Sequence, residues 1–341
     1  MAFGHMNLKR IFHRSWEELV ATYEIAKVTS LKDAITTFRA KVDIQIMNRN
    51  GYKETPVIKK RLIKKHEIML KYFEKQFHEF YETYDYNRPL SVDDSDMHDR
   101  IWICWWQGEE NAPEVVKRCI ESIKRSAGGH TVTVITEDNY REYVHIPEWV
   151  IDKHKAGIIS RTNLSDLLRL SLLAEHGGMW VDTTFFCSVN TNLDRYFEYP
   201  LWSIKRPDYL HCSVASGYFA GYSLYCNYEW RFIFATIRDF FLHYWEQKDR
   251  LIDYLLVDYM IVLAQRYDQR IADAFQEIIP NNPKCDELFK ILGDVFDPIV
   301  WESLQEETDL FKLSWKHAFP LKIKGMDTFY SKLLNGELGC C

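Results

Sequence analysis

The chain has 341 residues, 47% hydrophobic and 27% charged, which excludes a disordered protein and gives enough length for one large domain with an accessory part, or for two domains. Its net charge of −6 argues against a general nucleic-acid binder, and an aromatic share of 15% favours a cleft for something flat, such as a sugar ring or a base. None of the cysteines forms a C-x-x-C pair and no apolar run reaches the roughly 18 residues of a membrane span, so neither zinc, nor a disulfide framework, nor a membrane helix is expected, and the chain reads as soluble and cytoplasmic.

Residues 1–95 form a helical region. In "VIKKRLIKKHEIMLKYFEKQFHEFY", Ile58, Leu62, Met69, Phe73 and Phe80 fall along one stripe, while Lys59, Lys60, Lys64 and Lys65 lie largely elsewhere. This basic helix, within residues 54–80, is either a solvated face or a peripheral contact with an anionic membrane, at its inner face. "NRPLSVDDSD" interrupts the pattern with proline and acidic turn formers, placing a boundary near residue 95. Beyond it "RIWICWW" is an apolar run of strand length, as expected for a strand covered on both faces. "NAPEVVKRCIESIKRSAGG" predicts a helix with Asn111 as cap, Pro113 in its first turn and Val116, Cys119, Ile120 and Ile123 on one stripe. "TVTVIT" is a second strand, and "NLSDLLRLSLLAEH" a second helix ending at Gly177-Gly178 before the strand "MWVD". Strand, helix and strand alternate as in a parallel nucleotide-binding sheet, so residues 96–341 read as an α/β domain. Further on, "PLWSIK" and "SVASGYFAGY" read as strands, residues 229–247 and 251–278 as long helices, and "LFKLSWKHAFPLKIK" as a strand followed by a basic loop.

Asp166 and Arg169 stand three apart in a helix so rich in leucine that little of it can face water. They are either a structural ion pair or part of a site, since a buried pair adds little stability over apolar replacements. Asp182 follows the apolar strand at its carboxyl end, the edge where open α/β sheets bind ligands. A carboxylate there can ligate a hard divalent cation that neutralises a diphosphate; the alternative is a turn aspartate. Asp258, in an apolar helical run, either faces the cleft or caps a polar contact.

"WWQG" closing a first strand, "SDLLR" in a helix and "GGMWVDTT" directly after it resemble the bacterial capsular polysaccharide synthesis proteins, relatives of the family 32 glycosyltransferases and of toxin glucosyltransferase domains. The resemblance covers about residues 98 to 330, including "YWEQKDRLIDYLLVDYM", and leaves the N-terminal helices outside. It implies a GT-A fold, Rossmann-like and nucleotide-sugar-binding, with N-terminal and C-terminal helical additions. It also implies a nucleoside diphosphate sugar donor, UDP-linked, a glycan or lipid-linked glycan acceptor, hexosyl transfer with retention, and manganese or magnesium. Carried over by residue, Trp105, Trp106, Gln107 and Gly108 begin the donor pocket, Asp166, Arg169 and Gly178 contact the donor, and Asp182 is the catalytic first acid of a D-x-D motif. Thr184 stands where the second acid is expected, and a hydroxyl is a weaker cation ligand than a carboxylate. The charge of the leaving group then calls for other partners. His317 is expected to join Asp182 and Thr184 on the metal, with Lys316, Lys322 and Lys324 on the phosphates. The rival readings are a non-catalytic sugar or nucleotide binder on the same fold and a glycoside hydrolase, which would need two carboxylates flanking the scissile bond.

Overall fold

The computed structural model describes residues 8–51, 53–90 and 97–339, with side chains from Trp16 onward. Four helices come first: α1 (Leu8–Val28), α2 (Leu31–Arg49), α3 (Pro56–Gln76) and α4 (His78–Thr83). Ser30 and Thr55 cap α2 and α3 by accepting the backbone N–H of Asp33 and Ile58, and Pro56 opens α3, where its missing N–H is not needed. The α/β part follows with β1 (Ile101–Cys104), α5 (Glu114–Arg125), β2 (Val132–Ile135), α6 (Glu148–Lys155), α7 (Arg161–Glu175), β3 (Gly178–Val181) and β4 (Phe185–Cys187). Then come β5 (Leu201–Ser203), β6 (Ser223–Cys226), α8 (Phe232–Gln247), α9 (Leu256–Tyr267), α10 (Gln269–Glu277), α11 (Glu287–Ile291), α12 (Pro298–Gln305) and β7 (Leu310–Lys312), and a small hairpin, β8 (Lys322–Ile323) and β9 (Met326–Asp327), precedes α13 (Phe329–Leu334).

The class is mixed α/β, as expected. The five-stranded sheet runs β2-β1-β3-β6-β5, with β2, β1 and β3 parallel and β6 antiparallel to its neighbours β3 and β5. Chain from β1 leads to β2 on one side, and β3 returns on the other side of β1, so the carboxyl ends of β1 and β3 flank a crevice of the kind in which open α/β sheets bind ligands. Alternation along β1 splits the core. Trp102 packs with the leucines of α7, whereas Ile101 and Ile103 pack with Val116, Ile120 and Ile123 of α5.

The boundary expected near residue 95 falls outside the described residues. One apolar core reaches both sides of it, joining Met69 and Phe73 of α3 to Leu167 of α7, Phe240 of α8 and Tyr259 of α9.

Several local expectations are corrected. Asn111 does not cap α5: Pro113 precedes that helix without a side-chain cap, and the Asn111 amide donates to the carbonyl of Gln107. "SVASGYFAGY" is not a strand, because Ser216 and Gly217 both take positive φ and the segment folds into turns before β6. Residues 251–278 form two helices, not one, broken where Asp268 caps α10. Lys65 does not lie on a solvent face of α3. It is buried and paired with Asp253 at 2.9 Å. Of the other lysines of that face, Lys59 pairs with Asp208 and Lys64 with Glu67. No helix among the described residues is long and apolar enough to cross a membrane.

Candidate functional site

The site is assembled at the carboxyl ends of β1 and β3. Ser160 caps α7 by accepting the N–H of Asn163, and the leucines of this helix bury it so fully that Asp166 and Arg169 are carried inside. The two form an ion pair, and Nη1 of Arg169 also lies 3.8 Å from Oδ1 of Asp182. One guanidinium therefore bridges two carboxylates. The same Asp182 oxygen accepts the Trp180 indole N–H at 3.1 Å, and the Asp182 backbone N–H donates to the carbonyl of Tyr222. The Nε of Arg169 is buried without a hydrogen-bond partner, a donor left over at the site. Burial, opposed by Arg169 and reinforced by the negative charge of Asp182, raises the Asp166 carboxyl above its ordinary range.

Asp258 belongs to this constellation. Its Oδ2 accepts from the Ser213 hydroxyl at 3.1 Å, and burial, offset by Ser213 and Arg169, pushes its carboxyl up to about 6. A Cβ on Gly221 would stand 2.9 Å from its other oxygen, so a glycine there leaves room for the acid. Tyr254, 77% exposed, stands at the rim within electrostatic reach of Asp166, Asp182 and Asp258.

The two tryptophans after β1 point to different places. Trp106 donates its indole N–H to Ser165 on α7 at 2.7 Å and, with Gln107 and Gly108, lines a cavity of about 500 Å³ completed by Glu109, Glu110 and Glu137 among others. The Trp105 ring meets Trp315 edge-on at 5.8 Å, and its buried indole N–H has no partner. The expected donor residues are thus brought together at one sheet edge, with one exception. Gly178 opens β3 at the opposite end from Asp182, and a Cβ there would come within 2.5 Å of the Arg100 carbonyl, so its role is close backbone packing.

The expected cation ligands do not form a metal site. The His317 ring packs edge-on against Phe289, and Lys316, Lys322 and Lys324 lie exposed beyond β7, with Lys316 over the Trp315 ring and Lys322 paired with Asp327. What meets Asp182 and Thr184 is Lys312, whose Nζ is 3.5 Å from Oδ2 of Asp182 and donates to the Thr184 hydroxyl. Both Asp182 oxygens are engaged by donors of the chain itself, and no group of three or more His, Cys, Asp or Glu side chains able to hold a metal occurs among the described residues. The chain offers a divalent cation one carboxylate and one hydroxyl, both already met by Lys312, so most of the oxygens around such an ion would have to come from phosphate and water.

The pattern of the capsular polysaccharide synthesis proteins matches residues 49–333. The chain belongs to the capsular polysaccharide synthesis protein family. The match starts well before the expected residue 98, so α3 and α4 are part of what this capsular synthesis family shares. Among solved structures, the chain is similar to the apo structure of the WbbM bifunctional glycosyltransferase, with 9% identity and a TM-score of 0.41 over 94% of this chain and 70% of that one. No curated protein matches the chain.

Proposed function

We propose that this member of the capsular polysaccharide synthesis family is a glycosyltransferase that moves a hexose from a nucleoside diphosphate sugar, UDP-linked, to a polysaccharide or lipid-linked glycan acceptor, with retention. The observation that supports the reading is the Asp166–Arg169–Asp182 bridge at the carboxyl end of β3 beside the cavity that Trp106, Gln107 and Gly108 line at the end of β1. In this reading the nucleoside fills that cavity, the diphosphate crosses the crevice, and the sugar lies over Asp182 and Arg169. Both sides of the transfer then depend on positioning and charge, which a preorganised set of buried ions supplies. The hydrolase alternative is disfavoured because Asp166 and Asp182 share one guanidinium and do not stand apart across an open cleft. Turnover of UDP, GDP and CMP sugars, read as nucleotide release, tests the proposal. Release from a UDP-hexose is expected; tight nucleotide binding without release from any donor assigns a binding protein instead.

For the membrane partner we place the contact on α2, not α3. Leu31, Ile35, Phe38, Val42 and Ile46 recur along one side of α2 and are all exposed, and its exposed charged residues are Lys32, Arg39 and Arg49, all basic. An apolar stripe bordered by cations matches a leaflet of anionic lipid. Flotation with phosphatidylglycerol vesicles, absent with neutral vesicles and lost in a Phe38→Asp, Val42→Asp variant, is the expected result. Flotation unchanged by the two substitutions rules this surface out.

A further inference from the structure

We propose that Lys312 is the cation that holds the donor's diphosphate in this site, in the place where a divalent metal was expected, so that turnover needs no added metal ion. The inference rests on the glycosyltransferase reading above. Its basis is the position of one ammonium group. Lys312 ends β7, and its backbone is fixed on both sides: it pairs with Phe185 in β4, its N–H donates to the Cys285 carbonyl at 2.8 Å, and the next residue, Leu313, donates to the carbonyl of Thr184 at 2.8 Å. A strand held in this way aims the side chain at Asp182 and Thr184, the first and third residues of the motif in which a metal would sit.

The surroundings are those of a charge put in place and not of a surface lysine. Nζ lies 5.6 Å from the Phe185 ring centre and 5.7 Å from that of Tyr222, and the side chain is 23% exposed. Its partner Asp182 is 32% exposed, so the pair opens on one side to the crevice. Thr184 accounts for the departure from two acids. A second carboxylate would strengthen a divalent-ion site, whereas a hydroxyl is enough to accept one hydrogen bond from an ammonium. Arg169, on the other oxygen of Asp182, is already shared with Asp166, so Lys312 is the cation of this set with a single carboxylate partner and the one best placed to meet an incoming diphosphate.

The transfer balances without a metal. The bond from C1 of the sugar to the β-phosphate oxygen breaks with its electron pair going to the diphosphate. The acceptor hydroxyl oxygen forms the new bond to C1, and its proton passes to the departing diphosphate. Lys312 moves no proton; it stabilises the negative charge that develops as the bond breaks, which is where a preorganised cation counts most.

The test is nucleotide release from a UDP-hexose by the purified full chain in excess EDTA and in manganese or magnesium. Equal rates within about twofold are expected, whereas a rate that falls to background in EDTA and returns with either metal overturns the inference while leaving the glycosyltransferase reading intact. Release from no sugar nucleotide under any condition removes that reading, and this inference with it. As a second measurement, Lys312→Gln, which keeps a donor to Thr184, should melt near the parent temperature yet lose on the order of 10²–10³ in kcat. It should also bind UDP more weakly in EDTA, with Lys312→Arg recovering part of the affinity. Lys312→Gln that binds UDP and turns over like the parent overturns the assignment.

Discussion

Asp182→Asn is expected to leave a folded protein whose turnover is reduced on the order of 10²–10³-fold. The substitution preserves shape. The backbone N–H of residue 182 still donates to the Tyr222 carbonyl, and an amide oxygen still accepts the Trp180 indole N–H, so the end of β3 keeps its anchors. What disappears is the charge on which Arg169 and Lys312 converge from opposite oxygens. Without it the two cations lose their common counter-ion, and Arg169 is left with Asp166 alone. Positioning of the diphosphate and sugar then fails although the scaffold stands. Because Asp182 is 32% exposed, its loss leaves no unpaired buried acid, and the melting temperature should change little. The check is kcat together with a thermal melt. Parallel losses of stability and activity would make Asp182 a structural aspartate that closes a turn.

The core of this site was legible in the sequence because it rests on local signals. An apolar run of strand length, a leucine-rich helix with two charges three apart and a carboxylate directly after a second apolar run each read out of a single window, and the structure joins Asp166, Arg169 and Asp182 as that pattern requires. Lys312 was not legible, since it pairs with Phe185, 127 positions earlier, and short antiparallel pairings of that span leave no periodicity to read. Gly178 was misassigned because a glycine that packs against a neighbouring strand and a glycine that approaches a ligand look alike in sequence; only the Arg100 carbonyl beside it decides. Lys65 did carry a signal. It lies three after Leu62 and four before Met69, inside the buried stripe of α3, and a cation in that register needs a buried partner from elsewhere in the chain.

That partner gives the N-terminal helices a place in the site, and the second large effect follows from it. Lys65→Met is expected to destabilise the protein by about 3–5 kcal/mol, because it leaves Asp253 buried opposite an apolar side chain. Burial works against the charge of Asp253, yet Lys65 and Lys41, with hydrogen bonds from Lys65 and the Leu255 backbone, hold its carboxyl down to about 2. Lys41 remains in the variant but is 4.0 Å away, so it compensates only in part. In a thermal melt this is a shift on the order of 10 °C. Adding Asp253→Leu should restore much of the loss, since a buried ion pair exchanged whole for apolar groups costs little. The effect should reach the crevice as well. Asp253 accepts the N–H of Leu255 immediately before α9, and that same stretch carries Tyr254 at the rim and Asp258 within electrostatic reach of Arg169. Freed from Lys65, the stretch before α9 loses one of its ties to α3, the hydrogen bond between His66 and Tyr259 remaining, so the double variant should melt near the parent temperature while binding UDP more weakly. Full recovery of both stability and UDP affinity would confine α3 to a role in packing, and an unchanged melting temperature in Lys65→Met would mean that the buried pair is not what holds α3 to α9.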